Sequence, residues 1–146
     1  MVMVFQKIIR KPESWCMEIM KILIIDDERE FGEMISLYLA EKLGCETVVE
    51  SDPENALNAA RWFMPDLILL DIIMPKKTGF DVLSDLKNDK KTSLIPVIIL
   101  TVVDGTGSKI KASEYYAEDY LVKPVSLPAL IEKVNSVIKR RYGIIA

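Results

Sequence analysis

Short unbroken apolar runs alternate along this chain with longer stretches in which apolar positions recur every three or four residues. Ile22-Leu23-Ile24-Ile25, Leu67-Ile68-Leu69-Leu70 and Pro96-Val97-Ile98-Ile99-Leu100 read as strands buried on both faces. Val48-Val49 and Tyr120-Leu121-Val122 are shorter strands of the same kind. Between them, Phe31, Met34, Ile35, Tyr38 and Lys42 stand at helical spacing, flanked by Leu39 and Leu43, and stop at Gly44, a residue suited to the position after a helix. Asp52-Pro53 opens a second helix with an N-cap and a first-turn proline, and Ala56, Leu57, Ala60, Phe63 and Met64 form its apolar face before Pro65 ends it. Thr78 and Asp81 form a capping-box pattern for a third, with Val82, Leu83 and Leu86 inward. The loop Asp104-Gly105-Thr106-Gly107-Ser108 leads to a short fourth helix. Ser126 caps a fifth, with Leu127, Leu130, Ile131, Val134 and Ile138 on one face and Lys139, Arg140 and Arg141 complementing the dipole of its last turn.

Five strands alternating with five helices predict an α/β fold: a flavodoxin-like, doubly wound five-stranded parallel sheet in three α/β/α layers with right-handed crossovers. The first and third runs are the most apolar and belong at the centre, which gives the order 2-1-3-4-5 and a topological switch point between strands one and three. The regular pattern spans residues 20–142, with 143–146 as a tail. Residues 1–19 do not follow it, and two readings stand: an upstream start ahead of Met17 or Met20, or an added strand or docking arm over Val2–Ile9.

Polar residues at the strand ends change the picture from a fold to a site. Asp26 and Asp27 follow strand one, Asp71 follows strand three, Thr101 follows strand four and Lys123 follows strand five. In open α/β sheets this carboxyl rim is where ligands bind. One Asp after a buried strand is most often a solvated residue or a helix cap; several strands each delivering a different group are harder to dismiss. Three converging carboxylates repel one another, and protonation or a divalent cation relieves the repulsion. With oxygen ligands only, Mg²⁺ is the expected ion. A carboxylate beside a metal, an ammonium and a hydroxyl suits phosphoryl chemistry, with Asp71 as nucleophile and Thr101 and Lys123 binding phosphoryl oxygens.

Composition narrows the choice further. The 146 residues, 50% of them hydrophobic, fit one domain. A net charge of -3 and a pI near 5.1 argue against a general binder of nucleic acid or anionic membrane. Cys16 and Cys45 form no CxxC, no apolar run approaches the ~20 residues of a bilayer span, and the N-terminus makes a poor signal peptide, so a cytoplasmic location is expected. The chain contains no histidine, which excludes His-dependent triads and His metal sites and assigns any phosphohistidine in its chemistry to a partner. The 104–108 loop lacks the spacing of a phosphate-binding loop, and nothing after strand one cradles the phosphate of a flavin cofactor. A phosphatase of the aspartyl-phosphate type would place a second Asp where Ile73 stands.

Asp26-Asp27, Asp71 with Met74-Pro75 and Gly79, Thr101, and Tyr120-Leu121-Val122-Lys123-Pro124 together resemble the receiver domain of two-component response regulators, over roughly residues 20–142. The resemblance implies that Asp71 accepts a phosphoryl group from a separate histidine kinase or phosphotransfer protein. It implies Mg²⁺ held by Asp27, Asp71 and the Ile73 backbone carbonyl, with Asp26 acting through water. Thr101 and Tyr120 would form the switch pair, altering the face of the fourth helix, fifth strand and fifth helix for a downstream target. It implies a cis Lys123–Pro124 peptide, as the lowered cis penalty before proline allows. Three departures stand out: Val102 where a small residue is usual, Tyr116 where a glycine often ends the fourth helix, and apolar Ile73 and Val103, expected to shield an acyl phosphate from water. Since the given sequence stops at residue 146, the expected output is protein-protein contact without nucleic acid or membrane, as a stand-alone receiver or relay intermediate. The alternative is a non-phosphorylated pseudo-receiver, and pairing with a second copy is left open.

Overall fold

The computed structural model of the chain describes residues 8–10, 17–102 and 117–145. In chain order the elements are β1 (Ile8–Arg10), β2 (Met17–Ile19), β3 (Lys21–Ile25), α1 (Arg29–Leu43), β4 (Glu46–Glu50), a 3-10 turn (Pro53–Asn55), α2 (Ala56–Phe63), β5 (Leu67–Asp71), α3 (Gly79–Lys87), β6 (Val97–Thr101), β7 (Asp119–Val122), α4 (Leu127–Tyr142) and β8 (Ile144–Ile145). The main sheet runs β4-β3-β5-β6-β7 with every pairing parallel, which is the expected order 2-1-3-4-5. Among the described residues there are four α-helices. The further helix expected between β6 and β7, its 104–108 loop, Val103 and Tyr116 lie outside the described residues.

The two most apolar runs take the centre because only there are both faces of a strand covered. Ile22 to Ile25 and Leu67 to Leu70 are all fully buried, and each such side chain contributes on the order of 2 kcal/mol of burial. Alternation along the strands sorts them into two cores. Ile22, Ile24, Leu67, Leu69, Ile98 and Leu100 pack under α1 and α4, while Leu23, Ile25, Ile68, Leu70, Val97 and Ile99 pack under α2 and α3.

Helix faces differ from expectation in three places. In α1 the buried ridge is Gly32, Ile35, Leu39 and Leu43, whereas Met34 lies 47% exposed and Tyr38 is only half-buried. The cause is the approach to β4: a Cβ on Gly32 would stand 2.8 Å from Val49 Cγ1, so the helix rolls toward its glycine and turns Met34 outward. Asp52 and Pro53 cap a single 3-10 turn, and α2 proper starts at Ala56; it ends at Phe63, with Met64 in the left-handed region at φ 51 and exposed. In α4 the buried face includes Val137 and leaves Leu127 and Ile131 only partly covered.

Caps fall where the sequence places them. Gly44 ends α1 at φ 63 with its N–H on the Ala40 carbonyl. Ser126 Oγ accepts from the Ala129 N–H at 3.4 Å. Thr78 and Asp81 form the reciprocal capping box of α3: Thr78 Oγ1 accepts from the Asp81 N–H at 3.2 Å, and Asp81 Oδ2 accepts from the Thr78 N–H at 3.2 Å. Thr78→Ala is therefore expected to lower stability by about 1 kcal/mol in urea unfolding, with an unchanged m value.

Beyond the main sheet, β1 pairs antiparallel with both β2 and β8 in a small sheet of order β2-β1-β8. Among the described residues of the N-terminal extension, strand structure falls on Ile8–Arg10 and Met17–Ile19, and Ile144–Ile145 of the tail joins it; residues 2–7 of the expected arm lie outside the described residues.

Candidate functional site

The carboxyl ends of β3, β5, β6 and β7 deliver the polar residues to one rim. Asp26 directly follows β3, is fully buried, and donates its N–H to the Glu50 carbonyl at 3.1 Å. Its Oδ1 accepts the Glu28 N–H at 2.9 Å. Asp27, next in the chain, is half-buried. Asp71 ends β5 at 3% exposure, beside Leu100 of β6 in register. Carboxylate oxygens of Asp26, Asp27 and Asp71 all lie within 4.8 Å of one another.

Lys123 crosses the rim from the end of β7. Its Nζ stands 2.9 Å from Asp26 Oδ2 and 3.5 Å from Asp71 Oδ1, with the side chain 10% exposed. The Lys123 N–H donates to the Thr101 carbonyl at 2.6 Å, which ties the two strand ends together, and the Lys123–Pro124 peptide is cis. Thr101 is buried at 1% exposure and Tyr120 is half-buried against the α2/α3 core. Val102 is 55% exposed, so its side chain points away from the packed layer rather than filling it.

The electrostatics follow from burial and crowding. Burial, then the charges of Asp26 and Asp27, push the Asp71 carboxyl up to about 6, against the pull of Lys123 and of the Ile73 N–H that hydrogen-bonds it. For Lys123, burial works against the charge, but the hydrogen bond to Asp26 and the charges of Asp26, Asp71 and Glu28 outweigh it and raise the ammonium above its usual range. Three carboxylates facing one ammonium leave excess negative charge. An all-oxygen donor set with that excess suits a hard divalent cation such as Mg²⁺.

The loop after Asp71 is shaped by Gly79. A Cβ there would lie 2.2 Å from the Asp71 carbonyl oxygen and 2.6 Å from Ile72 Cα, and the Gly79 N–H donates to the Ile72 carbonyl at 2.8 Å. Ile72 and Met74 turn inward, Ile73 stands 51% exposed, and Lys76 takes φ 69. In the sequence Gly79 reads as a loop closer and as part of the receiver pattern, but no local pattern reveals that α3 begins against the Asp71 backbone. Phe31 likewise reads from the sequence as a core position of the first helix. In the fold its ring centroid lies 4.2 Å from Lys123 Nζ.

The family model described as a response regulator receiver domain matches residues 22–135. The chain belongs to the response regulator receiver domain family. Among curated relatives of this receiver, the alkaline phosphatase synthesis transcriptional regulatory protein PhoP of Bacillus subtilis is 34% identical over 82% of this chain and 49% of its own length. The DNA-binding dual master transcriptional regulator RpaA of Synechocystis is also 34% identical, over the same 82% and 49%. Of solved structures, the receiver domain of Francisella response regulator 1452 superposes with a TM-score of 0.74 at 35% identity, covering 82% of this chain and 97% of that one. The chemotaxis protein CheY4 of Vibrio cholerae gives 0.77 at 27% identity, covering 82% and 99%.

The chain spans about half the length of the curated relatives it matches. Their printed names include DNA-binding regulators, so the expectation of an output without nucleic acid gains no support from them. Receiver membership places the chain in two-component signalling. Among the described residues no helix is long and apolar enough to cross a membrane.

Proposed function

We propose that this receiver is phosphorylated on Asp71 by a phosphohistidine of a separate kinase or phosphotransfer protein and signals through the resulting change at Thr101 and Tyr120. The observation that carries this reading is a buried carboxylate, Asp71, set among Asp26, Asp27 and a lysine ammonium 3.5 Å away. A buried carboxylate held near pH 6 is ionised at neutral pH and presents an oxygen nucleophile. An Asp71 carboxylate oxygen attacks phosphorus in line with the P–N bond; the P–O bond forms, and the P–N pair leaves with the imidazole, which takes up a proton.

Lys123, released from its contact with Asp71, neutralises one phosphoryl oxygen, and the Thr101 hydroxyl donates to another. Asp26, Asp27, Asp71 and the Ile73 carbonyl would hold Mg²⁺, Asp26 through water. When bound, the ion supplies positive charge to the remaining phosphoryl oxygens. Asp26 and the Glu28 N–H keep Lys123 aimed at the rim in the meantime. Movement of Thr101 toward the phosphoryl group, with Tyr120 one strand away, would alter the face around β7 and α4 that a downstream protein reads. Such chemistry belongs in the cytoplasm beside the kinase.

Intact-protein mass after incubation with acetyl phosphate and Mg²⁺ tests the reading. The wild type is expected to gain one phosphoryl mass only when the metal is present, and Asp71→Asn to gain none. No gain by a folded, Mg²⁺-binding wild type would leave a pseudo-receiver binding module in its place.

A further inference from the structure

Lys123 is contacted on one side by Asp26 and Asp71, and on another by a π face. Phe31, in the first turn of α1, sets its ring centroid 4.2 Å from the lysine Nζ, within the range of an effective cation–π contact. The ring is partly buried and packs against the α1/α4 core, the cluster that contains Ile35 and Leu39. Lys123 is 10% exposed, so its ammonium has exchanged water for two carboxylates and a ring, and desolvation strengthens the attraction. An aliphatic residue would serve the core at this position equally well but would offer the ammonium no negative face.

We propose that Phe31 is a positioning residue for phosphoryl transfer: its ring holds the Lys123 ammonium at the acidic rim, where it meets the incoming phosphoryl group. The inference rests on the phosphorylation of Asp71 proposed above and adds a residue outside the Asp, Thr and Lys set. Electrostatic attraction to the ring, unlike packing, depends on the electron density of its face. Position 31 thereby tunes how fast the site charges, while leaving the carboxylates free to bind the metal.

The test compares phosphoryl uptake from acetyl phosphate in the full chain carrying Phe31, Phe31→Tyr, Phe31→Leu and, at the same position, ring-fluorinated phenylalanines of nearly constant size. Mg²⁺ affinity and thermal stability are measured on each. A graded fall in uptake rate with fluorination is expected, reaching about fivefold to thirtyfold in Phe31→Leu, with recovery in Phe31→Tyr and Mg²⁺ affinity within about twofold throughout. Equal rates across the fluorinated series, or a loss in Phe31→Leu that Tyr does not rescue, would overturn the assignment.

A second readout, acylation of Lys123 by an amine-directed reagent followed by peptide mass, does not depend on phosphorylation. Labelling is expected to rise with fluorination and in Phe31→Leu. Should the wild type take up no phosphoryl group, the reading of Asp71 fails by itself. Labelling that is indifferent to the ring would then overturn the Phe31 assignment as a separate result.

Discussion

Gly79→Ala is expected to cost this receiver about 3 kcal/mol or more and to reduce phosphoryl uptake at Asp71 at least tenfold. The added methyl carbon would meet the Asp71 carbonyl oxygen at 2.2 Å and Ile72 Cα at 2.6 Å, and both are backbone atoms that no rotamer change can move. Either the first turn of α3 backs away from β5, breaking the Gly79 N–H bond to the Ile72 carbonyl, or the end of β5 shifts. In the second case Asp71 leaves its place beside Asp26 and Lys123, and misplacement of about 1 Å is enough to lose much of an in-line transfer. Urea unfolding and the mass assay are the two measurements. A variant with wild-type stability and uptake would show that the loop tolerates a Cβ. Gly32→Ala provides the contrast: its nearest neighbour is the Val49 side chain, which can give way, so a smaller loss of stability is expected with uptake little changed.

The second large effect is a dependence of stability on pH in the absence of divalent metal. The Asp71 carboxyl is raised in the fold from 3.8 to about 6. The folded chain therefore holds this proton over a range where the unfolded chain has released it. Stability falls as pH rises from about 4 to about 6, and above pH 6 the full penalty of roughly 3 kcal/mol is present. Lowering the pH of the metal-free protein from 7.5 to 5 should accordingly raise the contribution of this site, the opposite of the trend for a salt-bridged surface carboxylate.

Asp71→Asn removes the titrating group. It is expected to stabilise the metal-free protein at pH 7.5 by up to about 3 kcal/mol and at pH 4.5 by only about 1 kcal/mol, so that the difference between the two proteins, followed by urea unfolding at several pH values, isolates Asp71 from every other carboxylate. Mg²⁺ should shrink the gap for wild type at pH 7.5 and do little for the variant, because a cation that binds only the folded, ionised cluster stabilises by mass action. A wild type and variant that run parallel across this range would mean that Asp71 is not held near pH 6.

The sequence carried the architecture because its signals are local and repeated. Buried parallel strands must be apolar on both faces, so Ile22–Ile25 and Leu67–Leu70 declared themselves as central, and the order of the sheet followed from connectivity rules. Caps were legible for the same reason: Thr78 with Asp81, Ser126 and Gly44 act within a few residues of themselves. The buried faces of the helices were less so. The buried face of α1 differs from the periodic one because Gly32 lets the helix approach Val49 closely while Met34 is left exposed; periodicity counts the apolar residue, whereas packing favours the small one.

At the site, the residue types at the ends of four strands could be read from the sequence, since topology alone sends the carboxyl ends of parallel strands to one rim. Residue type and order along the chain thus determined the sheet, its switch point and the set Asp26, Asp27, Asp71, Thr101 and Lys123. Only the tertiary structure decided that Asp26 is fully buried while Asp27 is half-open, that Lys123 sits nearer Asp26 than Asp71, that Gly79 abuts the Asp71 backbone, and that Phe31 faces the ammonium. These are distances between segments far apart in the chain, set by how two helices settle on a twisted sheet. No local pattern of residues encodes such a distance, because it depends on the volumes of all the side chains in between.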